Sequence, residues 1–297
     1  MTYLFVITRI FSNPLSNVFQ KKLTGNSANP LFIILATHLL LTLVCLPVLF
    51  YSLPLQLSPA FWTNIVICAL LATAANTLIV MALESTDLSV LGPINAYKSI
   101  ISILLGIFML GEIPTWMGAA GALLILFGSY FIMDAGVSTG PAASGKLFSQ
   151  FIKNRGIQLR FAALVFSATE AIFLKKALLV SSPLITFLFW CILCLPVAAV
   201  ATAWLVKGRL RAEASILTHK KTNLLFLAVT TGLMQFSTLY TFGVMQVGYS
   251  LALFQTSALL SVFFGYKFFQ EKNIARRAIG ALIMVFGAAI IITFGSS

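Results

Sequence analysis

The sequence predicts an all-α integral membrane protein of ten transmembrane helices, arranged as two inverted five-helix repeats. Three observations predict it. The first is composition: 297 residues, 60% hydrophobic and 9% charged, with a mean hydropathy of +1.01. Soluble domains carry about 25% charged residues, so this chain cannot cover a water-facing surface. The second is the recurrence of apolar runs long enough to cross a bilayer as helices, which satisfy their own backbone hydrogen bonds as lipid demands. A β-barrel would alternate polar and apolar residues, and these runs do not. The third is repetition. LLGIFMLGEIPTWMGAAGALLILFG at 104–128 echoes FFGYKFFQEKNIARRAIGALIMVFG at 263–287 at a constant offset of 159. Gly106 falls on Gly265, Glu112 on Glu271, Gly121-Ala122-Leu123 on Gly280-Ala281-Leu282, and Phe127-Gly128 on Phe286-Gly287.

The punctuation sets the elements in order. The first span, 3–23, ends before Gly25-Asn26. It contains Arg9, Asn13 and Pro14, has no basic residue before its apolar part and no small-residue cleavage site, so it is not read as a signal peptide. Spans 30–52 and 60–83 are separated by Pro54 and Pro59, and span 88–110 follows Ser85 to Asp87. Gly111 to Pro114 precede span 114–135. In the second half, spans 158–180 and 183–206 meet at Ser182-Pro183, spans 222–246 and 249–269 meet at Gly248, and 274–295 is last. These are turn and helix-start residues.

The segment 136–157, GVSTGPAASGKLFSQFIKNRGI, is rich in Gly, Ser and Ala and then basic. It reads as a linker between a first repeat, 1–135, and a second, 158–297. Further echoes agree. CLPV occurs at 45–48 and 194–197, VFQKK at 18–22 faces IFLKK at 172–176, and Asn64 and Asn223 each follow a Thr. Because five is odd, tandem copies lie in opposite orientations. Transporters use that architecture to open a midplane site to either side in turn.

Two five-helix halves, each with Gly-x-x-x-x-x-Glu before its last helix and Gly-Ala-Leu-x-x-x-Phe-Gly within it, resemble the EamA-type branch of the drug/metabolite transporter superfamily. The resemblance covers nearly the whole chain. It implies a central cavity lined mainly by helices 1, 3, 4, 6, 8 and 9, with helices 5 and 10 at the periphery, and it leans toward export. The chain departs from the pattern at Gln270, where the first half has Gly111, and at Ala96-Tyr97-Lys98-Ser99, where many members carry a mid-helix proline.

Basic residues concentrate in the connections 1–2, 5–6, 7–8 and 9–10, a set that includes Lys21, Lys22, Lys146, Arg155, Arg160, Lys220 and Arg276. The positive-inside rule then places both termini outside, whereas the resemblance implies termini inside. The bias is large and sits in short loops, so the expectation is both termini outside. The net charge of +12 reads as a membrane-orientation and anionic-lipid signal. No dense basic run with interleaved aromatics points to nucleic acid.

Polar residues inside the spans are the candidate site. Lys98 lies about ten residues into the fourth span, where a charge costs roughly 2.5–3.5 kcal/mol. It therefore faces a cavity or a carboxylate. Asn95 and Ser102 share its face at i−3 and i+4. Glu170, midway along the sixth span, is its complement. Intramembrane carboxylates serve as proton carriers, so the expectation is a proton-coupling role, the alternative being a static ion pair to Lys98 or Arg9. The first span carries a stripe of Arg9, Asn13, Ser16, Asn17 and Gln20, interrupted by Pro14, although Arg9 can also snorkel to headgroups. The repeat aligns Asn76, flanked by Thr73 and Thr77, with Gln235, flanked by Thr231 and Thr238. Two amides at matching depths can bind a polar ligand from both sides or simply join helices. Tyr97, Gln255 and Trp190 are weaker candidates for substrate binding. Lys175 and Lys176 read as interface residues at a helix end. Glu112 and Glu271 read as fold determinants near helix N-termini.

No catalytic constellation appears, and no cofactor is expected. Cys191-x-x-Cys194 lacks the second Cys or His pair that a zinc set needs. His38 and His219 stand alone, and no nucleotide-binding loop is present. The expected function is secondary active transport of a small polar metabolite, such as an amino acid or organic acid, by alternating access. Alternatives are a flippase for a lipid-linked headgroup, multidrug efflux, given 26 Phe, and an intramembrane enzyme. The expected setting is a bacterial inner (plasma) membrane. The expected partners are the solute and the lipid bilayer; one chain suffices to enclose a cavity, and a dimer is compatible with it.

Overall fold

The structure, a computed structural model, describes residues 2–24, 28–51, 56–85, 97–134, 155–206, 210–257, 259–260, 263–264, 267 and 274–294. Among these the chain forms helices α1 (Thr2–Thr24), α2 (Pro30–Tyr51), α3 (Pro59–Ser85), α4 (Tyr97–Leu110), α5 (Trp116–Asp134), α6 (Arg155–Leu179) and α7 (Pro183–Leu205). They are followed by α8 (Leu210–His219), α9 (Lys221–Val244), α10 (Val247–Phe254) and α11 (Ile274–Phe294). Apart from α8, these correspond to the ten spans of the sequence. Helices α2, α3, α6, α7 and α9 each contain a stretch long and apolar enough to cross a membrane. Tyr51, Trp116 and Phe108 are 94%, 92% and 84% exposed. Side chains that large and apolar remain exposed where lipid is the solvent.

The halves are inverted, and side-chain pairings show it directly. Helix α7 is the counterpart of α2, and the two run antiparallel. Thr42 Oγ1 donates to Cys191 O at 3.1 Å, while Thr202 Oγ1 donates to Leu31 O at 3.3 Å. Helix α11 is the counterpart of α5. There a Cβ added to Gly121 would lie 2.8 Å from Gly287 O, and one added to Gly128 would lie 2.6 Å from Gly280 O. Each glycine thus faces the repeat-mate of the other, and the missing side chains let the two backbones touch.

The remaining main contacts also join one half to the other. Helix α1 runs antiparallel to α9. Phe5 stacks on Tyr240 at 4.4 Å between ring centroids, Ser16 Oγ and Thr231 Oγ1 are 3.1 Å apart, and Phe19 stacks on Phe226 at 5.3 Å. Helix α3 runs antiparallel to α6, from Cys68 beside Glu170 to Ala82 packed with Ile157 and Leu164. A core of buried Phe61, Ile65, Ile172, Leu188, Trp190 and Phe242 ties α3, α6, α7 and α9 together.

Three features differ from expectation. The sequence leaves 207–221 as a connection, but Leu210–His219 is an amphipathic helix. Its Glu213 is 7% exposed and accepts a 2.7 Å hydrogen bond from Asn29 N at the start of α2. Next, the span expected at 249–269 is interrupted. Helix α10 ends at Phe254, and a turn follows in which Thr256 Oγ1 bonds Leu253 O at 2.7 Å. A hydroxyl that takes a backbone carbonyl competes with the helical ladder. Finally, Lys175 is not an interface residue. It is 8% exposed and donates to the carbonyls of Phe242 and, at 3.0 Å, Met245, where α9 ends. A cation is favoured at a helix C-terminus.

Lys175 also pairs with Glu112 at 3.5 Å, and Glu112 Oε2 accepts a 2.8 Å hydrogen bond from Val247 N at the start of α10. The structural role expected of Glu112 is thus realised on a helix other than the next one in sequence. Gly106 makes room for it: a Cβ there would lie 3.3 Å from Glu112 Oε2. Glu271, Asn95 and the linker interior lie outside the described residues.

Candidate functional site

A cavity of about 110 Å³ lies between the halves, lined from α1, α2, α3, α4, α6, α7, α9 and α10. That is several times what a single water molecule needs. Helices α5 and α11, joined by their glycine seam, contribute nothing to it.

The polar stripe of α1 forms one wall, with Arg9, Asn13, Ser16, Asn17 and Gln20 all facing the cavity. Pro14 lies within the helix without ending it, and its missing N–H leaves the Ile10 carbonyl without the usual helical donor. Arg9 does not snorkel to headgroups. Its Nε donates to Thr238 Oγ1 at 2.8 Å, and its guanidinium sits 4.9 Å from the centre of the Phe254 ring. That contact places a cation at the end of α10, where helix carbonyls are exposed. Asn13 Nδ2 donates to Ser257 Oγ at 3.2 Å, just past the interruption of the ninth span. Broken helices beside a midplane site are a feature of inverted-repeat transporters.

Opposite, α6 presents Glu170 and Arg160, which are 9% and 6% exposed. Glu170 Oε1 accepts a 3.6 Å contact from the Cys68 thiol and interacts electrostatically with Lys98 and Arg9. Lys98 is within electrostatic reach of Glu170, Arg9 and Arg160. Asn76 and Gln235 line the cavity from α3 and α9, as their repeat alignment predicts.

Of the expected site residues, Lys98, Asn76, Gln235, Asn13, Asn17 and Glu170 come together around this space. Two do not. Tyr97, 37% exposed, tilts against Phe161 with ring centroids 6.0 Å apart, on the outside of α4. Gln255 is 3% exposed in the turn after α10 and does not line the cavity.

Sequence reasoning missed two titratable lining residues. Arg160 counts there as a loop charge. Helix α6 begins at Arg155 rather than 158, which sets Arg160 more than a turn inside. His38 looked isolated, but it meets Trp190 edge-on at 5.0 Å, and both line the cavity. The arrangement can bind and orient a polar solute through charged and amide groups. Among the described residues, no three of His, Cys, Asp and Glu cluster as a metal set.

Two mutually inverted helical bundles, with helices long and apolar enough to cross a bilayer, define a multi-pass integral membrane protein. Residues 1–134 match the EamA-like transporter family. A solved protein, described only as "Crystal structure of protein", is similar over 99% of this chain and 97% of its own, with a TM-score of 0.66 and 16% identity. At that identity the likeness is one of fold. Comparison with curated proteins gave no match.

Proposed function

We propose that the chain is a secondary transporter of a small polar metabolite bearing a carboxylate or phosphate, working by alternating access in a bacterial inner membrane. The observation that carries this reading is the convergence of Arg9, Lys98, Arg160 and Glu170 on one cavity between inverted halves. Charges are expensive inside a membrane and mark solute or proton pathways. Lys98 is proposed to meet the anionic group of the solute. Glu170 is proposed to exchange a proton as Lys98 turns from it to the cargo. Asn13, Asn17, Asn76 and Gln235 would supply hydrogen bonds. One chain supplies the whole cavity lining, so the proposed working unit is a monomer. The charge bias assigns the face at the end of α1 to the cytoplasm.

The test is uptake of labelled carboxylate and phosphate solutes into proteoliposomes of the purified protein, with and without an imposed pH gradient. Lys98→Met is expected to abolish uptake. Glu170→Gln is expected to retain solute exchange and lose the response to the gradient. Wild-type uptake by Lys98→Met would overturn the reading.

A further inference from the structure

We infer that the cargo carries two negative charges, as a dicarboxylate or a phosphate monoester does, and that Arg160 is the anchor for the second charge. The inference rests on the transporter reading above and narrows its substrate class.

The argument begins with charge balance. Among the described residues, three cations line the cavity, Arg9, Lys98 and Arg160, against one carboxylate, Glu170. Alternating access requires a state in which the cargo is sealed from water on both sides. An uncompensated charge is then costly, because each ion removed from water loses several kcal/mol of solvation unless it is paired. With Glu170 ionised the walls carry two net positive charges, and with Glu170 protonated they carry three. A zwitterionic amino acid leaves all of them uncompensated and a monocarboxylate removes one, whereas a dianion leaves none in the first state and one in the second.

Hydrogen bonding points the same way. Arg9 Nη1 and Arg160 Nε are buried and have no hydrogen-bond partner among the described residues, and the one unpartnered side-chain oxygen on the same lining is the neutral amide acceptor of Gln20. Both guanidinium atoms are donors. A buried donor without an acceptor is costly, and an anionic solute is a concentrated source of acceptors. The guanidinium groups in particular match carboxylate and phosphate geometry.

Position supplies the third strand. Arg160 lies ten residues before Glu170 on α6, about 15 Å along the helix axis. Arg9 is near enough to Glu170 to interact with it, and Lys98 interacts with both arginines. Arg160 therefore stands apart along the cavity from the charges near Glu170, with Lys98 within electrostatic reach of both arginines. That layout suits two anionic charges, one toward Arg9 and Lys98 and one toward Arg160.

The experiment measures ligand-dependent thermal stabilisation of the full-length detergent-purified protein. The probes are alanine, lactate, succinate, glycerol phosphate and inorganic phosphate, with affinities read from the concentration dependence. A dianion should bind at least tenfold more tightly than lactate or alanine, and Arg160→Gln should reduce its affinity to the lactate level. Arg160→Lys, which keeps the charge and guards against a folding defect, should retain part of the preference. The succinate and phosphate arms separate the two dianion chemistries, and preference for either supports the inference. If alanine or lactate binds as well as the dianions, and Lys98→Met still removes binding, the cavity reading stands and the dianion inference falls. If no probe binds, or Lys98→Met leaves binding intact, both fall.

Discussion

Thr42 and Cys191 are repeat-mates in contact. Each lies three residues before the Cys of a CLPV motif, and Thr42 Oγ1 donates a 3.1 Å hydrogen bond to Cys191 O. A residue touches its own counterpart only on or beside a symmetry axis, so the pseudo-two-fold relating the halves passes between α2 and α7. The bond joins helices without being critical: interhelical hydrogen bonds in membranes average about 0.6 kcal/mol. Thr42→Val should therefore lower stability by less than about 1 kcal/mol, measured by thermal or denaturant unfolding in detergent.

The α5–α11 seam should be far less tolerant. Alanine at Gly287 would set its Cβ 2.6 Å from Gly121 O, a backbone atom that cannot swing aside. Overpacking of this kind costs about 1–3 kcal/mol, and leucine should cost more. Gly243 is the control, since an added Cβ there meets nothing within 4 Å. Gly243→Ala should be neutral or stabilise α9 by up to about 1 kcal/mol. Parallel melting curves of the two alanine variants decide the matter.

Lys175 and Glu112 form an asymmetric pair. Lys175→Met leaves the partly buried Glu112 without its cation and strips a donor from Phe242 O and Met245 O. Breaking a fully buried pair costs about 3–5 kcal/mol, so this partly exposed one should cost less, about 2 kcal/mol. Glu112→Gln keeps an oxygen that can still accept from Val247 N, so it should destabilise less. Equal loss in the two variants, read from thermal unfolding, would show that the capping bond is not what holds Glu112.

Trp190 provides an optical test of the cavity. It lines the cavity and is 2% exposed, whereas Trp62, Trp116 and Trp204 are 41%, 92% and 73% exposed. Binding of an anionic solute should change tryptophan emission, and Trp190→Phe should remove that change while the other three fluorophores remain. A change that persists in Trp190→Phe would place the ligand elsewhere.

The ten spans and their inversion were legible because hydropathy and a fixed offset of 159 residues are properties of the chain itself. The cavity was legible where a polar stripe had no other explanation, as with Asn13, Asn17 and Lys98. What stayed hidden depended on depth and on distant neighbours. Arg160 lies close to a basic connection in sequence, and only the early start of α6 carries it inward. Lys175 ends an apolar run, as an interface lysine does, yet its acceptors are the carbonyls of another helix nearly seventy residues away. Helix α8 is short and polar enough to pass for a loop. The break after Phe254 falls in an apolar stretch, and the Thr256 hydroxyl bond found there also occurs in unbroken helices, as at Thr230 and Ser167, so no local signal marks it.

The contacts described for the fold carry a consequence for assembly. Helix α1 is gripped by α9, α2 by α7, α3 by α6 and α5 by α11, so nearly every helix finds its principal neighbour across the duplication. The repeat is thus a unit of inheritance without being a unit of folding. A ribosome that has released only residues 1–135 has made five helices whose mates do not yet exist, and the bundle can set only after the second copy has threaded into the bilayer the other way up.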